Sequence, residues 1–247
     1  MNTKNSMVAI IPARAGSKGL PGKNLRHLEG RPLVTWPIAA ALGAGSINRV
    51  IVSTDDDEIA TVSRAAGADV PFIRPGYLAD DNASSMDVAL HAIDVLEKLG
   101  EKYEYLILLE PTSPLTESTD IDAAFSQLKS AANTADAIVG VCRVESTHPE
   151  YDVRIDENGF LSPYLAPNFK SLRRRQEIER IYFLEGSLYI SSVEAFRRNR
   201  TFYHNRTLGY EVPRWKSIEV DELIDFIFVE AIMKSRDEIR QQGHVAL

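Results

Sequence analysis

The 247 residues include a single cysteine, Cys142. An internal disulfide is therefore excluded, and the apolar setting AIVGVC reads as a buried strand position rather than a nucleophile. Histidine is almost as sparse. His27, His91, His148, His204 and His244 show no spacing that suggests zinc, and none is assigned to catalysis. No apolar stretch approaches 18 residues and the first nine lack a signal-like core, which predicts a cytoplasmic protein without a membrane segment. A basic excess is also missing: 28 Lys and Arg stand against 35 Asp and Glu, a formal charge of −7. That balance argues against a general nucleic-acid or membrane surface. There are no internal repeats and no low-complexity segments. At 44% hydrophobic, the chain can bury one large core, with room for an insertion but not for a second full-sized domain.

Against this background the segment from Ile10 to Asn24, IIPARAGSKGLPGKN, stands out. It follows an apolar run and combines Gly16, Gly19 and Gly22 with the cations Arg14, Lys18 and Lys23. Glycines let a backbone turn tightly and bring its N–H groups close to an anion, while the cations offset charge. The ligand expected is a nucleotide polyphosphate. The spacing fits neither a Walker loop nor the G-x-G-x-x-G dinucleotide fingerprint. The competing reading is a solvated basic turn.

Apolar runs at 7–12, 49–54, 70–73, 104–109 and 136–142 alternate with helix-compatible segments at 32–44, 57–66, 84–99 and 119–132. Short runs that are apolar throughout indicate parallel strands covered on both faces. The predicted fold is a single α/β domain over 1–247, a three-layer sandwich around a mostly parallel twisted sheet. The loops at 13–24, Asp55 to Asp57 and Glu110 to Pro114 would converge beyond the carboxyl ends of the strands. Prolines and glycines after residue 143 mark 144–215 as a small extended insertion, whose strands could pair with the same region of a second subunit in a homodimer. A final helix from Glu222 to Arg240 is expected to pack back on the main sheet. Trp36 and Trp215 read as packing residues.

Several motifs occur together and in order: IPARAGSKGLPGKN at 11–24, VSTDD at 52–56, Arg74 with Pro75, NASS at 82–85, LEPTSPL at 109–115, Arg175 with Gln176, and SIEVD at 217–221. In this the chain resembles the acylneuraminate cytidylyltransferases, the CMP-sialic acid synthetase family, from about residue 7 to residue 235. The resemblance implies attack by the anomeric hydroxyl of a keto-sugar acid on the α-phosphate of CTP, with magnesium assistance and release of pyrophosphate. It also implies nucleotide contacts from Ala13, Arg14, Gly16, Ser17, Lys18, Lys23, Asn24, Arg74 and Ser84. Arg14, Lys23 and Asp221 would be catalytic, the cations stabilising the departing pyrophosphate. Ser84 is as readily a helix N-cap.

Glu219 and Asp221 are two apart, so on an extended segment both carboxylates project to one side and can share a hard cation. The family places a metal-binding Asp-x-Asp pair here, and Glu219 replaces its first aspartate. The alternative is a helix-start pair complementing the dipole. Asp55 to Asp57 also matches an Asp-x-Asp metal motif, but stands where a helix must begin and is read as a cap. Arg175, Gln176 and Tyr189 match acceptor-side positions, Arg175 with the planar fork that suits a carboxylate. The chain departs from the sialic acid pattern in three places: Glu110 stands for a glutamine, Thr116 for an arginine, and LEG at 184–186 for Pro-Asn-Gly. Glu110 and Glu185 offer acceptors alone where amides offer donors too. N-acetylneuraminate is therefore expected to be a poor acceptor beside a differently decorated acid. Competing functions are a nucleotidyltransferase for a sugar phosphate, a metal-dependent glycosyltransferase using Asp55 to Asp57, and a silent nucleotide-binding module.

Overall fold

The computed structural model describes residues 5–80, 83–145 and 147–243. The chain opens with β1 (Met7–Pro12), passes through a minimal hairpin, β2 (His27–Leu28) and β3 (Arg31–Pro32), and enters α1 (Thr35–Gly43). Then come β4 (Arg49–Ser53), α2 (Asp57–Ala65), α3 (Ser85–Lys98), β5 (Tyr105–Leu108), α4 (Ser118–Ser130) and β6 (Ala137–Arg143). An arm carrying the hairpin β7 (Val153–Ile155) and β8 (Leu161–Pro163) precedes β9 (Tyr182–Ser192), α5 (Val193–Asn199) and β10 (Thr207–Glu211). The chain finishes with α6 (Leu223–Lys234) and α7 (Arg236–Gly243).

Six strands form the main sheet in the order β10-β6-β9-β5-β1-β4. All run parallel except β9, which is antiparallel to both β5 and β6. Because the arm leaves β6 and β9 returns beside it, the two make a long hairpin, and a hairpin return is antiparallel. Alternation along β1 explains its unbroken apolar sequence. Met7, Ala9 and Ile11 pack toward Ile38 of α1 and Ile121 of α4, while Val8 and Ile10 pack toward Ala89 and Leu96 of α3 and Phe196 of α5. Both faces are buried, so neither parity can be polar. Each fully buried large side chain contributes about 1.5–3 kcal/mol. This is the expected three-layer α/β sandwich.

Three expectations change in detail. Residues 70–73 form no strand; Asp69 and Ile73 make isolated parallel bridges to Ile51 and Thr54 beside β4. Of the segment 144–215, only 144–181 stands apart, since β9 and β10 join the main sheet. The expected final helix breaks at Ser235 into α6 and α7. Its buried residues Phe226 and Val229 pack with Leu20, Leu28, Leu33, Leu115 and Val220, so it closes over the glycine-rich loop and the β2–β3 hairpin instead of the sheet. Cys142 is buried on β6 as expected, and Trp36 and Trp215 pack beside that third cluster.

Candidate functional site

The glycine-rich loop leaves β1 at the carboxyl edge of the sheet, next to the ends of β4 and β5, where open α/β sheets bind ligands. The loop is held down at both ends. Ala13 is buried and its N–H bonds Ser53 O at 3.0 Å. At the far end Gly22 has φ +67°, open to glycine at no steric cost. A Cβ at Gly19 would overlap the carbonyl of Asp221, so this glycine lets the loop touch the 217–221 segment. Asp55 Oδ1 accepts from Ala15 N at 3.1 Å, tying a second loop to the first.

A cleft of about 240 Å³ opens between these loops. Arg14, Gly16, Ser17, Lys23 and Asn24 line one wall, Arg74, Ser85 and Val88 another, and Glu110, Pro111 and Thr112 a third. Lys23 Nζ donates to Val220 O at 3.0 Å and pairs with Asp221 at 3.1 Å. Arg14 reaches across to the carbonyls of Ala79 and Asp80. Asn24 Nδ2 holds Arg14 O at 2.9 Å, leaving Asn24 Oδ1 buried without a partner on the cleft wall. Arg74 is buried, and its guanidinium bonds Ser53 Oγ, Ser53 O and Leu78 O. Burial lowers its pKa, with Asp55 and Glu110 pulling the other way.

Opposite the cations lies a group of carboxylates. Burial pushes Glu110 up to about 7, Glu219 adding to the shift while a hydrogen bond from Ser85 and the nearby Lys23 and Arg74 oppose it. Burial raises Glu219 too, followed by Asp221, against hydrogen bonds from Gly186 N–H and Thr112. A Cβ at Gly186 would collide with the Glu219 carboxyl, so glycine there lets that carboxyl lie against the β9 backbone. Glu185 is not on the cleft wall. Five steps of β9, from Leu184 to Tyr189, face two of β6, from Val141 to Val139. That irregularity folds Glu185 under the sheet against Gly140, where Ser187 N–H and Oγ bond its carboxylate. Burial raises it to about 7, with Glu219 and Asp120 adding to the shift.

This carboxyl has a measurable consequence. Its folded value lies above its ordinary 4.5, so the folded state binds more protons between pH 4.5 and about 7 and stability falls as pH rises through that window. The full effect is on the order of 3 kcal/mol. Urea titrations at pH 5 and pH 8 are expected to show a smaller loss for Glu185→Gln than for the wild type. Equal losses would place the titrating group elsewhere.

The structure brings together Arg14, Gly16, Ser17, Lys23, Asn24, Arg74 and Glu110 at the cleft, with Asp221 on Lys23. Ser84 caps α3, its Oγ accepting from Asp87 N at 3.1 Å, and Ser85 is the serine on the wall. Asp56 caps α2 through Ile59 N at 2.8 Å, the role expected of it. Lys18 does not line the cleft, Gln176 is exposed in a short turn near the end of the arm, and Tyr189 is half-buried with a raised pKa. Asn82 and the Arg175 side chain lie outside the described residues. Thr112, Gly140 and Gly186 escaped sequence reasoning, although Thr112 sits inside the LEPTSPL motif that located Glu110.

Residues 8–239 match the cytidylyltransferase family. The chain is 34% identical to a CMP-N,N'-diacetyllegionaminic acid synthase of Legionella pneumophila, over 94% of this chain and 98% of that one. It is 32% identical to an N-acylneuraminate cytidylyltransferase of Escherichia coli, covering 96% of this chain but only 54% of that protein. In fold it is similar to a CMP-2-keto-3-deoxy-manno-octonic acid synthetase solved with CTP, at TM-score 0.66 and 20% identity, with 94% and 99% of the two chains covered.

Proposed function

The chain belongs to the cytidylyltransferase family, and on that premise we propose that it transfers CMP from CTP to the anomeric hydroxyl of a keto-sugar acid. The observation that carries this reading is the cleft in which Arg14, Lys23 and the glycine-rich backbone face Glu110 and Thr112, with Arg74 buried behind. In the transfer the hydroxyl oxygen forms a bond to the α-phosphorus. The bridging P–O bond to the β-phosphate breaks, pyrophosphate leaves with the electron pair, and the hydroxyl proton passes to solvent. Lys23, fixed by Val220 O and Asp221, offsets the charge that builds on the leaving group, and its fixed position means little reorganisation during reaction. Arg14 and the N–H groups around Gly16 hold the polyphosphate in line.

Magnesium fits the donor set. Asp221 meets the cleft through its pair with Lys23 and is open, at 71% side-chain exposure, while Glu219, two residues before it, interacts electrostatically with Glu110 and is already bonded by Gly186 and Thr112. A hard cation that keeps several waters needs only one or two carboxylates beside substrate phosphates. When bound it would supply charge neutralisation on the polyphosphate.

For the acceptor we favour a keto-sugar acid carrying a second N-acyl group, of the kind named for the Legionella relative, over N-acetylneuraminate. What supports this is Glu110, a carboxyl on the cleft wall in place of an amide, whose oxygens can take the N–H of the additional acylamino group. Glu185, folded away from the cleft, no longer contributes. A homodimer is the proposed assembly, supported by the exposed Ile155, Phe160, Leu161, Leu165 and Phe169 on the arm, which a second copy would cover.

A pyrophosphate-release assay over four NTPs and a panel of keto-sugar acids, with and without magnesium, tests the reading. Turnover is expected with CTP and a keto acid, and Asp221→Asn is expected to lose the magnesium-dependent part. Reaction of UTP or GTP with a sugar phosphate instead would sink it. Sedimentation of the wild type and Phe160→Asp reads the assembly: a monomeric wild type would remove the dimer.

A further inference from the structure

A second pocket, of about 230 Å³, lies between the β2–β3 hairpin, α1, the start of α4 and the α6–α7 junction, apart from the cleft. We propose that it binds a small oxyanion of the phosphate-monoester class, gripped by Arg31 and Arg236 with its organic part against Trp36, Leu115 and Met233. Both arginines line the pocket, and among the described residues neither has a carboxylate partner. Arg31 stacks on Trp36 with its guanidinium carbon 3.5 Å from the ring centroid, which aims it without neutralising it. Arg236 Nε is buried and bonded to nothing, a donor whose desolvation is uncompensated in the free protein.

The surrounding charges do not offset the pair. Glu117, the one carboxylate on the pocket wall, is engaged by Lys216 at 2.8 Å and by Arg240. Asp120 is held by Lys216 at 2.6 Å. Arg31 loses proton affinity first through burial and then through Arg236, as two neighbouring cations with no anion between them require. A planar guanidinium pair suits phosphate oxygens bidentately.

The position gives an anion there a route to the cleft. Residues Pro114 to Ser118 line this pocket, and Glu110, Pro111 and Thr112 line the other. Between them Ser113 N bonds Glu110 O at 3.1 Å and Thr116 N bonds Ser113 O at 3.3 Å, so the two walls are ends of one tight turn.

Inorganic phosphate, without nucleotide and at low ionic strength, is the probe, read by calorimetry and thermal melts. Lys23→Ala, which weakens the polyphosphate cleft, is expected to keep one phosphate-binding event seen in the wild type, and the arginine changes are read in that background. Arg236→Gln is expected to weaken binding about tenfold, the loss of one charge-assisted contact, and Arg31→Gln/Arg236→Gln to abolish it. Arg236→Gln alone keeps the Arg31–Trp36 stack, so the result does not depend on the double variant folding. Binding that survives the arginine changes, that vanishes in Lys23→Ala, or that is absent from the wild type at millimolar phosphate would overturn the site.

Discussion

Lys23→Ala is expected to lower kcat/KM for CTP by about a hundred- to a thousandfold, the cost of removing one preorganised charge at a developing anion. The side chain is only 15% exposed and is aimed by Val220 O and Asp221, not by solvent. Positioning of that kind makes a cation worth more to the departing pyrophosphate than to bound CTP, so the loss should fall mainly on kcat. Stability should change little. Asp221, the other half of the pair, is 71% exposed, and a partly exposed ion pair is worth about 1 kcal/mol or less. Steady-state kinetics and a thermal melt on the same preparation separate the two effects. A variant with near-normal kcat/KM would remove Lys23 from the chemistry, and one that melts far lower would make it a structural residue.

The largest stability effect is expected at Lys216. Its side chain is 7% exposed and that of Asp120 is 9% exposed, with Lys216 Nζ 2.6 Å from Asp120 and 2.8 Å from Glu117. Tyr210 adds a hydroxyl to the same aspartate at 3.4 Å. Lys216→Met leaves Asp120 buried with its counter-charge gone, at a cost of about 3–5 kcal/mol. In a chain of this length that lowers Tm on the order of 10 °C. Because burying an ion pair gains little over an apolar pair, Lys216→Met/Asp120→Leu should recover much of the loss. Calorimetric melts of the two variants check it; a single variant within about 1 kcal/mol of wild type would show the pair to be solvated. Lys216 lies three residues before Glu219, so the same change should also loosen the segment that carries Glu219 and Asp221.

Much of the site was legible along the chain because its parts are local. The glycines and cations of residues 13–24 lie within one loop, and a loop at the end of an apolar strand has little choice of position. Asp56 and Ser84 were readable as caps for the same reason: each bonds a backbone N–H three residues on. What failed was long-range. The α6 sequence is apolar at helical spacing whichever surface it covers, and nothing in its period says that Leu20, Leu28 and Leu33 receive it instead of the sheet.

By itself the sequence determined the strand–helix alternation, the burial of both sheet faces and the place of the glycine-rich loop at the end of β1, since each depends on side chains close together in the chain. Only the tertiary structure decided where the carboxylates point. Glu110 and Glu185 read as equivalent acceptor residues, yet one lines the cleft, and the other is turned under β9 where Gly140 leaves room for it. That choice comes from the irregular pairing of β6 with β9, two strands joined through a long arm, and strand register across such a connection is set by packing, not by local sequence. The meeting of Arg31 with Arg236, two hundred residues apart along the chain, was likewise invisible until α6 folded over the hairpin.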